Sequence, residues 1–216
     1  MNKIATLCGL LAIGGFTVQA THAKDFDAAY KDAIATFTQA AGGNTDAVEK
    51  ALPMFQEIDQ HYPNHPAVLA HIGSLTTMMA RDSLLPWNKI RYAENGLDII
   101  DHALELAANN TDTTMIRNVP ESLDVKLTAA STFSRMPRFF NRWGQAERLY
   151  QAIVDAARFA DLPAEFRATV WLGRAQHANQ RGNNDLYLAY LREAYTAGPQ
   201  TQPGRHAAEL LNPVKI

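Results

Sequence analysis

The sequence has a single cysteine, Cys8, among its 216 residues. A lone cysteine cannot form a disulfide within the chain, and Cys8 lies in an N-terminal apolar run that we expect to be removed. Residues 24–216 would then lack a thiol that acts as a nucleophile or as a metal ligand. The sequence therefore predicts a domain whose stability comes from packing.

Long apolar runs are also missing after the N-terminal one. That run covers residues 4–18 behind a lone charge at Lys3. It is roughly 15 residues long, shorter than the roughly 20 that a membrane-spanning helix needs, and small residues follow it at the spacing that a signal peptidase recognises. We predict that residues 1–23 are a secretory signal peptide, cleaved after Ala23 or alternatively after Ala20. The remaining alternative is an uncleaved N-terminal anchor.

An excess of positive charge is absent as well. The chain has 20 lysine and arginine residues and 22 aspartate and glutamate residues, which gives a formal net charge of −2. This balance does not favour nucleic acid as a partner. The signal peptide and the lack of a later apolar run predict that residues 24–216 form a single domain. We expect this domain to be secreted across the inner membrane into the periplasm and to have no membrane span.

Strand patterns are missing, because no stretch alternates β-branched and polar residues. Apolar residues instead recur every three to four positions between residues that start and stop helices, which indicates amphipathic helices. The predicted helices cover residues 25–41, 45–61, 66–82, 86–108, 120–135, 142–160, 163–181, 184–197 and 203–211.

Prolines mark several of these helices. Pro66, Pro86, Pro120 and Pro163 each precede a stretch with helical periodicity. A missing backbone N–H is tolerated there, since it would be unsatisfied in the first turn anyway. Pro53 instead falls inside the second helix, where it removes a backbone donor. We therefore predict that Pro53 bends or splits that helix.

Small and bulky residues also recur at two spacings along these helices. One spacing is found at Ala51, Phe55, Ile58 and Pro63; at Gly96, Ile100, Ala103 and Ala108; at Ala146, Tyr150 and Ile153; and at Tyr187, Leu191, Ala194 and Pro199. The other, a large residue followed by glycine, is found at Leu69, Ile72, Gly73 and Thr76, without a following aromatic residue, and at Leu172 and Gly173. A glycine or alanine lets two antiparallel helices approach closely, while the large residue fills the groove beside it. This pattern resembles that of the tetratricopeptide repeat (TPR) family, although its repeats are longer than the roughly 34 residues of that family.

The resemblance implies an all-α fold, namely a right-handed array of antiparallel helical hairpins, or TPR-like α-solenoid, of about nine helices. It covers most of residues 44–200 and implies a binding or scaffolding protein without a reaction of its own. The alternative is an irregular helical bundle whose alanine content imitates the repeat.

Two segments, residues 81–92 and 135–143, mix cations with aromatic residues beside predicted turns. The candidate binding residues in them are Trp87, Lys89, Arg91, Arg135, Arg138, Phe139, Arg142 and Trp143. Guanidinium groups pair with carboxylates in a forked geometry, and aromatic rings supply rigid contact area. In the alternative interpretation the aromatic rings anchor turns and the cations only bury their stems. Arg117 and Arg174 would join the cluster if the helical array curls.

Catalytic and metal-binding patterns are not recognised. His61 and His65 flank a proline-containing loop, and with His71 they do not share the face of one helix that a metal site would need. The sequence has no Gly-x-Ser-x-Gly motif and no phosphate-binding loop. Asp98 and Asp101 have the helical spacing of a solvated face. We therefore predict no metal, no cofactor and no enzymatic activity.

Three functional hypotheses remain. The first is a periplasmic scaffold or adaptor that binds a peptide or protein partner, as part of an envelope assembly. The alternative is a small-molecule-binding accessory component of an envelope transport system, with the two cation-aromatic segments lining a pocket. The third, an all-helical hydrolase or lyase, requires a carboxylate or histidine with a perturbed pKa in a cleft.

Overall fold

The computed structural model describes residues 16–109 and 114–212, with side chains described from Phe26 onward. This part of the chain forms nine α-helices. They are α1 (Phe16–Ala41), α2 (Thr45–His61), α3 (Pro66–Asp82), α4 (Pro86–Asn109), α5 (Glu121–Arg135), α6 (Trp143–Val154), α7 (Ala164–Gln180), α8 (Asn184–Ala197) and α9 (Gln202–Leu211). The predicted all-α class is confirmed. Residues 1–15 of the predicted signal peptide lie outside the described residues.

Two of the predicted helices have bounds that differ from the structure by more than one residue. The first helix already includes residues 16–24, ahead of the predicted start at residue 25. The sixth ends at Val154, where the backbone turns toward a 3₁₀ helix at Phe159–Asp161, whose Phe159 ring packs edge-on against Trp171 of α7. Tertiary packing of Phe159 therefore overrides the helical periodicity that continues to residue 160.

The second helix runs through Pro53 without a break, so the predicted split of α2 is wrong. The ring of Pro53 lies on the exposed side of the helix. Buried residues on either side of it, Ala51 and Phe55, attach both halves of α2 to the core. Packing of this face outweighs the cost of roughly 3 kcal/mol that an interior proline imposes.

A short antiparallel sheet, which the sequence pattern did not predict, precedes α5. Strands β1 (Met115–Ile116) and β2 (Val119–Pro120) pair Ile116 with Val119. Arg117 and Asn118 link them with φ angles of 52° and 63°. Two consecutive residues with positive φ are the signature of a two-residue β-hairpin turn, which most side chains disfavour. Two strand residues are too few for a periodic pattern to be visible.

Close approach of α3 and α4 depends on glycine. A Cβ at Gly73 would lie 2.7 Å from the carbonyl oxygen of Gly96, and a Cβ at Gly96 would lie 2.6 Å from that of Gly73. A Cβ at Gly173 would likewise lie 2.6 Å from the hydroxyl of Tyr150 on α6. The prediction that these small residues make room for a neighbouring helix is confirmed.

Helices that are adjacent in the chain pack against each other from α1 through to α9. In addition, α3 contacts α1 and α5, and α7 contacts α5 and α9. The buried apolar residues form a chain of neighbouring clusters along these helices. No helix in the described part of the chain is both long and apolar enough to cross a membrane.

Candidate functional site

The two cation-aromatic segments lie on either side of one cavity of about 490 Å³, which we call the basic cleft. The cleft is lined by Arg81, Lys89 and Ile90 from the first segment, by Arg135, Met136, Pro137, Phe139 and Phe140 from the second, and by Thr77, Ala80 and Ala93. Three of the eight predicted binding residues, Lys89, Arg135 and Phe139, therefore share one cavity.

The first segment is shaped by the chain reversal between α3 and α4. The Ser83 hydroxyl accepts a hydrogen bond from the Leu85 amide at 3.3 Å, and Pro86 starts α4. Arg81 makes two hydrogen bonds to the carboxylate of Asp82, at 2.6 and 2.9 Å. Lys89 donates from Nζ to the Arg81 carbonyl at 3.3 Å. This local network directs Arg81 and Lys89 toward the cleft.

Trp87 and Arg91 do not line the cleft. The indole of Trp87 is 67% exposed. Arg91 donates a hydrogen bond to the side-chain oxygen of Asn88 at 3.1 Å and lies 5.4 Å from the ring centre of Tyr92. Both side chains are on the outer surface of α4 beside the cleft.

The second segment begins where α5 ends at Arg135. A 3₁₀ helix, Arg138–Phe140, follows Pro137, and Asn141 closes it with a φ of 56°. The rings of Phe139 and Phe140 lie with their centres 4.4 Å apart and their planes tilted by 34°. Both residues line the cleft, and Phe139 is 75% exposed.

Arg142 and Trp143 contact the protein itself. Arg142 makes a forked pair with Asp101 at 3.0 and 2.6 Å and lies over the ring of Phe133. Trp143 donates its indole N–H to the Met136 carbonyl at 2.7 Å, and the guanidinium of Arg138 stacks on its ring at 4.7 Å. These contacts match the interpretation in which aromatic residues and cations anchor the turn.

Two smaller recesses adjoin the basic cleft. One, of about 180 Å³, is lined by Ala41, Ser74, Thr77, Met78, Arg81, Thr132, Arg135 and Met136. The other, of about 130 Å³, is lined by Ser131, Ser134, Arg135, Tyr150, Thr169, Leu172, Gly173 and Gln176. Arg135 lines the cleft and both recesses. Arg135 is therefore the residue that an apolar cavity shares with two recesses lined by hydroxyl-bearing side chains.

Positive charge dominates the basic cleft. Its lining includes three cations and no carboxylate. Among the described residues Arg81 has a carboxylate partner, whereas Arg135 makes only a 3.5 Å contact to the Ala41 carbonyl and Lys89 contacts only a carbonyl. The cleft therefore offers two cations to a ligand that carries a carboxylate or another anionic group.

A buried polar network, which no pattern in the sequence predicted, lies away from the cleft. The Tyr30 hydroxyl donates to Oδ2 of Asp124 at 3.1 Å, and Arg117 donates to Oδ1 of the same carboxylate at 2.8 Å. Burial raises the pKa of the Tyr30 phenol. Arg117 therefore does not join the cations of the cleft, because the β1–β2 turn directs it to Asp124. The only sequence signal was a tyrosine within the apolar face of α1.

His71 lies in the same core. Its ring stacks on Phe55 with centres 4.9 Å apart, and its Nδ1 is 2.7 Å from the Ala67 carbonyl oxygen. Burial lowers the pKa of His71. Nearby, Nδ1 of His65 lies 2.9 Å from the buried carboxylate of Glu121. No group of three histidine, cysteine, aspartate or glutamate side chains suited to a metal ion occurs in residues 26–109 and 114–212.

Arg174 also remains apart from the cleft. Its guanidinium group packs against the rings of Trp171 and Tyr190 and pairs with Glu147 at 3.0 Å. His177, one turn further along α7, is fully buried, and burial lowers its pKa. Neither histidine with a shifted pKa, His71 or His177, lines the cleft or its recesses.

The cleft and its recesses can hold polar or anionic groups through Arg135, Lys89 and the surrounding hydroxyl groups, beside an apolar wall. Comparisons of the chain with protein-family models, with curated proteins and with solved structures find no match.

Proposed function

We propose that this protein is a binding module of the cell envelope, in which a peptide or protein partner lies across α3, α5 and α7. The observation that carries the proposal is the position of Arg135, where the basic cleft and two recesses meet. Three cavities that share Arg135 and are lined by several helices suit an extended chain better than a compact metabolite. The proposal assigns no catalytic step to the protein.

The recesses supply the hydrogen-bonding groups that an extended peptide requires. Ser131, Ser134 and Thr169 line one of them and Thr132 the other. The hydroxyls of Thr132, Ser134 and Thr169 already donate to backbone carbonyls of their own helices, so their oxygens remain available to accept hydrogen bonds from the N–H groups of a peptide backbone. Arg135 adds a forked donor for a carbonyl or carboxylate. Apolar side chains of the partner would occupy the basic cleft.

We further propose that the helices form a TPR-like array of antiparallel hairpins. Contacts between successive helices support it, as do those that link α1, α3, α5, α7 and α9 in turn. The glycine contact between α3 and α4 gives the same support. Stacked helical pairs expose a long surface for a partner.

Location in the periplasm is part of the proposal. It rests on residues 1–23, whose charged start, apolar centre and small residues before position 24 resemble a secretory signal peptide. In this compartment the partner would belong to an envelope assembly. Detection of the processed protein in a periplasmic extract, with a new N-terminus at residue 24 or 21, tests the prediction.

A displayed peptide library tests the binding function. Selection on the purified wild-type protein should enrich a common sequence, and the enriched peptide is then titrated by fluorescence anisotropy. Arg135→Ala should weaken its binding at least about tenfold, since a charge-assisted pair contributes roughly 1.5–3 kcal/mol. Thr169→Tyr should also weaken binding, because the larger ring fills the recess.

Arg192→Ala is the matched control, since Arg192 is an exposed cation on α8 that lines neither the cleft nor a recess. Peptides that bind all four proteins with equal affinity would show that the partner site lies elsewhere. Failure to enrich any common sequence would count against a peptide partner altogether.

A small-molecule function is a second candidate, which the size of the basic cleft favours. Its volume of about 490 Å³ is within the range of roughly 300–1,000 Å³ found for ligand pockets. In this case an amphipathic anion would bind to Lys89 and Arg135 and place its apolar part against Phe140. Lys89→Ala would then abolish the thermal stabilisation that a library of small carboxylates produces, while Thr169→Tyr would leave it unchanged.

A further inference from the structure

Exposed apolar side chains are concentrated beside the basic cleft. Nine large hydrophobic residues are exposed in the described part of the chain, and five of them belong to the two cation-aromatic segments. These five, which we call the apolar rim, are Leu84, Leu85, Trp87, Ile90 and Phe139. Because Ile90 and Phe139 line the same cleft, the two segments form one surface. Exposed apolar side chains that are concentrated in one part of a surface mark an interaction site.

The apolar rim projects outward. Leu84 is 93% exposed, and Leu84, Leu85 and Trp87 line neither the cleft nor either recess. A groove would accept side chains from a partner. These three side chains instead project from the surface and are positioned to insert into whatever covers them. They lie at the chain reversal between α3 and α4.

Cations surround the rim. Segments 81–92 and 135–143 contain six lysine and arginine residues and one acidic residue, in a chain whose formal net charge is −2. Asp82 pairs with Arg81, and Asp101 pairs with Arg142. The other four, Lys89, Arg91, Arg135 and Arg138, have no carboxylate partner among the described residues. The surface is therefore strongly positive on a molecule that is otherwise acidic.

We propose that the apolar rim and its cations dock this protein onto the surface of an anionic lipid bilayer. Leucine and tryptophan side chains partition into the boundary between head groups and acyl chains, and neighbouring lysine and arginine side chains pair with anionic head groups. The indole of Trp87 suits this depth because it combines an apolar ring with an N–H donor.

Charge complementarity favours a bilayer over a second copy of this chain. In a dimer formed through the rim, the four cations without a carboxylate partner on one copy would face the same four cations on the other copy. Their like charges would repel. A bilayer with anionic lipids neutralises these cations and accepts projecting side chains without a preformed pocket. Docking on the surface requires no membrane-spanning helix, and it goes beyond the partner binding proposed above.

Vesicle binding by the full-length chain tests the proposal. The vesicles contain phosphatidylcholine and phosphatidylglycerol at roughly three to one, with brominated acyl chains that quench tryptophan on contact. The chain has three tryptophans, Trp87, Trp143 and Trp171, and none lies within residues 1–23. Quenching therefore reports contact by the folded domain and not by the N-terminal apolar run. We expect the vesicles to quench the tryptophan fluorescence of the wild type but not that of Trp87→Phe. The Trp87→Phe variant should still sediment with the vesicles.

Two sets of variants separate the apolar and the electrostatic contributions. The pair Leu84→Ser and Phe139→Ser should lower vesicle affinity at least about tenfold, whereas Leu186→Ser, at an exposed leucine on α8, should not change it. Substitution of Lys89, Arg91 or Arg138 by glutamine, one residue at a time, should weaken vesicle binding about fivefold. The control Arg192→Gln should have no effect.

Several results would overturn the proposal. Equal quenching of wild type and Trp87→Phe, or no quenching of either, would show that the rim does not enter the bilayer. Binding that is the same on pure phosphatidylcholine vesicles would remove the role of the cations. A wild-type dimer in light scattering that Leu84→Ser converts to a monomer would assign the rim to a second copy. Binding of an acidic peptide without any binding of vesicles would assign it to a protein partner.

Discussion

The hydroxyl of Tyr30 on α1 donates a 3.1 Å hydrogen bond to Oδ2 of Asp124 on α5, across 94 positions of sequence. Both residues are buried, and Arg117 from the β1–β2 turn donates to the other oxygen of the same carboxylate. A buried carboxylate is tolerated only when its oxygens have donors. The two hydrogen bonds therefore join α1 to α5 and to the hairpin turn that precedes α5.

Loss of the Tyr30 hydroxyl should destabilise the protein. Tyr30→Phe leaves Oδ2 of Asp124 buried without this donor, so we expect the free energy of unfolding to fall by about 1–3 kcal/mol. Urea unfolding followed by circular dichroism measures the change. Tyr195→Phe is the control, because Tyr195 is exposed and its substitution should change stability by less than about 0.5 kcal/mol. Equal stability of the two variants would contradict a structural role for the Tyr30–Asp124 bond.

Stability should decrease as the pH falls below about 6.5. Burial lowers the pKa values of His71 and His177 from 6.5. Below this pH the unfolded chain binds protons that the folded protein does not, so each histidine reduces the free energy of unfolding by up to about 1.4 kcal/mol per pH unit. Above this pH both states are neutral and these histidines add no pH dependence.

Urea unfolding between about pH 7.5 and pH 5.5 measures this effect. Carboxylates also titrate in part of this pH range, so the wild type alone does not isolate the effect of the histidines. The test is therefore the difference in pH dependence between the variants and the wild type. His71→Gln should reduce the pH dependence relative to wild type, because one buried titrating ring has been removed. His102→Gln, at an exposed histidine of α4, should retain the full dependence. An unchanged slope in His71→Gln would show that this ring does not couple folding to pH.

A methyl group at Gly73 should force α3 and α4 apart. Its Cβ would lie 2.7 Å from a backbone oxygen and 2.6 Å from Cγ1 of Ile100, and such overpacking costs typically about 1–3 kcal/mol. Gly144→Ala is a matched control, since its Cβ would have only the mobile end of Arg148 at 3.6 Å. We expect Gly73→Ala to lower the melting temperature and Gly144→Ala to leave it unchanged or raise it. A stable Gly73→Ala protein would mean that the two helices can separate at little cost.

The two tryptophans of the cation-aromatic segments should respond differently to removal. Trp143→Ala deletes a ring that donates to the Met136 carbonyl and packs on Arg138, so we expect a loss of roughly 3 kcal/mol in stability. Trp87→Ala removes a mostly exposed ring and should cost less than about 1 kcal/mol. Chemical denaturation of both variants measures the difference. Similar losses would indicate that Trp87 also anchors its turn.

Much of the helical framework was predictable because its signals are local. Pro66 and Pro86 start their helices at the predicted residues, and the ends of α2, α3, α5 and α8 agree with the sequence pattern. The small residues Gly73 and Gly96 were recognised because helices that touch need them at matching positions. Pro53 does not split α2, because its cost is local while the packing that offsets that cost is tertiary.

The candidate site was predictable only in part. The composition of residues 81–92 and 135–143 selected two segments that the structure brings together, with Lys89, Arg135 and Phe139 in one cleft. The same composition included Arg142 and Trp143, whose partners Asp101 and Met136 hold them in the fold. A pattern of residue types cannot distinguish a cation with a carboxylate partner from one without.

The sequence by itself determined the all-α class, most helix boundaries and the charge and apolar content of the two segments, since these depend on residues within a few positions of each other. Tertiary structure alone decided that Arg135 lines three cavities, that Tyr30 meets Asp124, and that Leu84 and Trp87 project from the surface. The physical reason is that a side chain's environment is set by neighbours contributed from other helices. Periodicity along one helix gives no information about those neighbours.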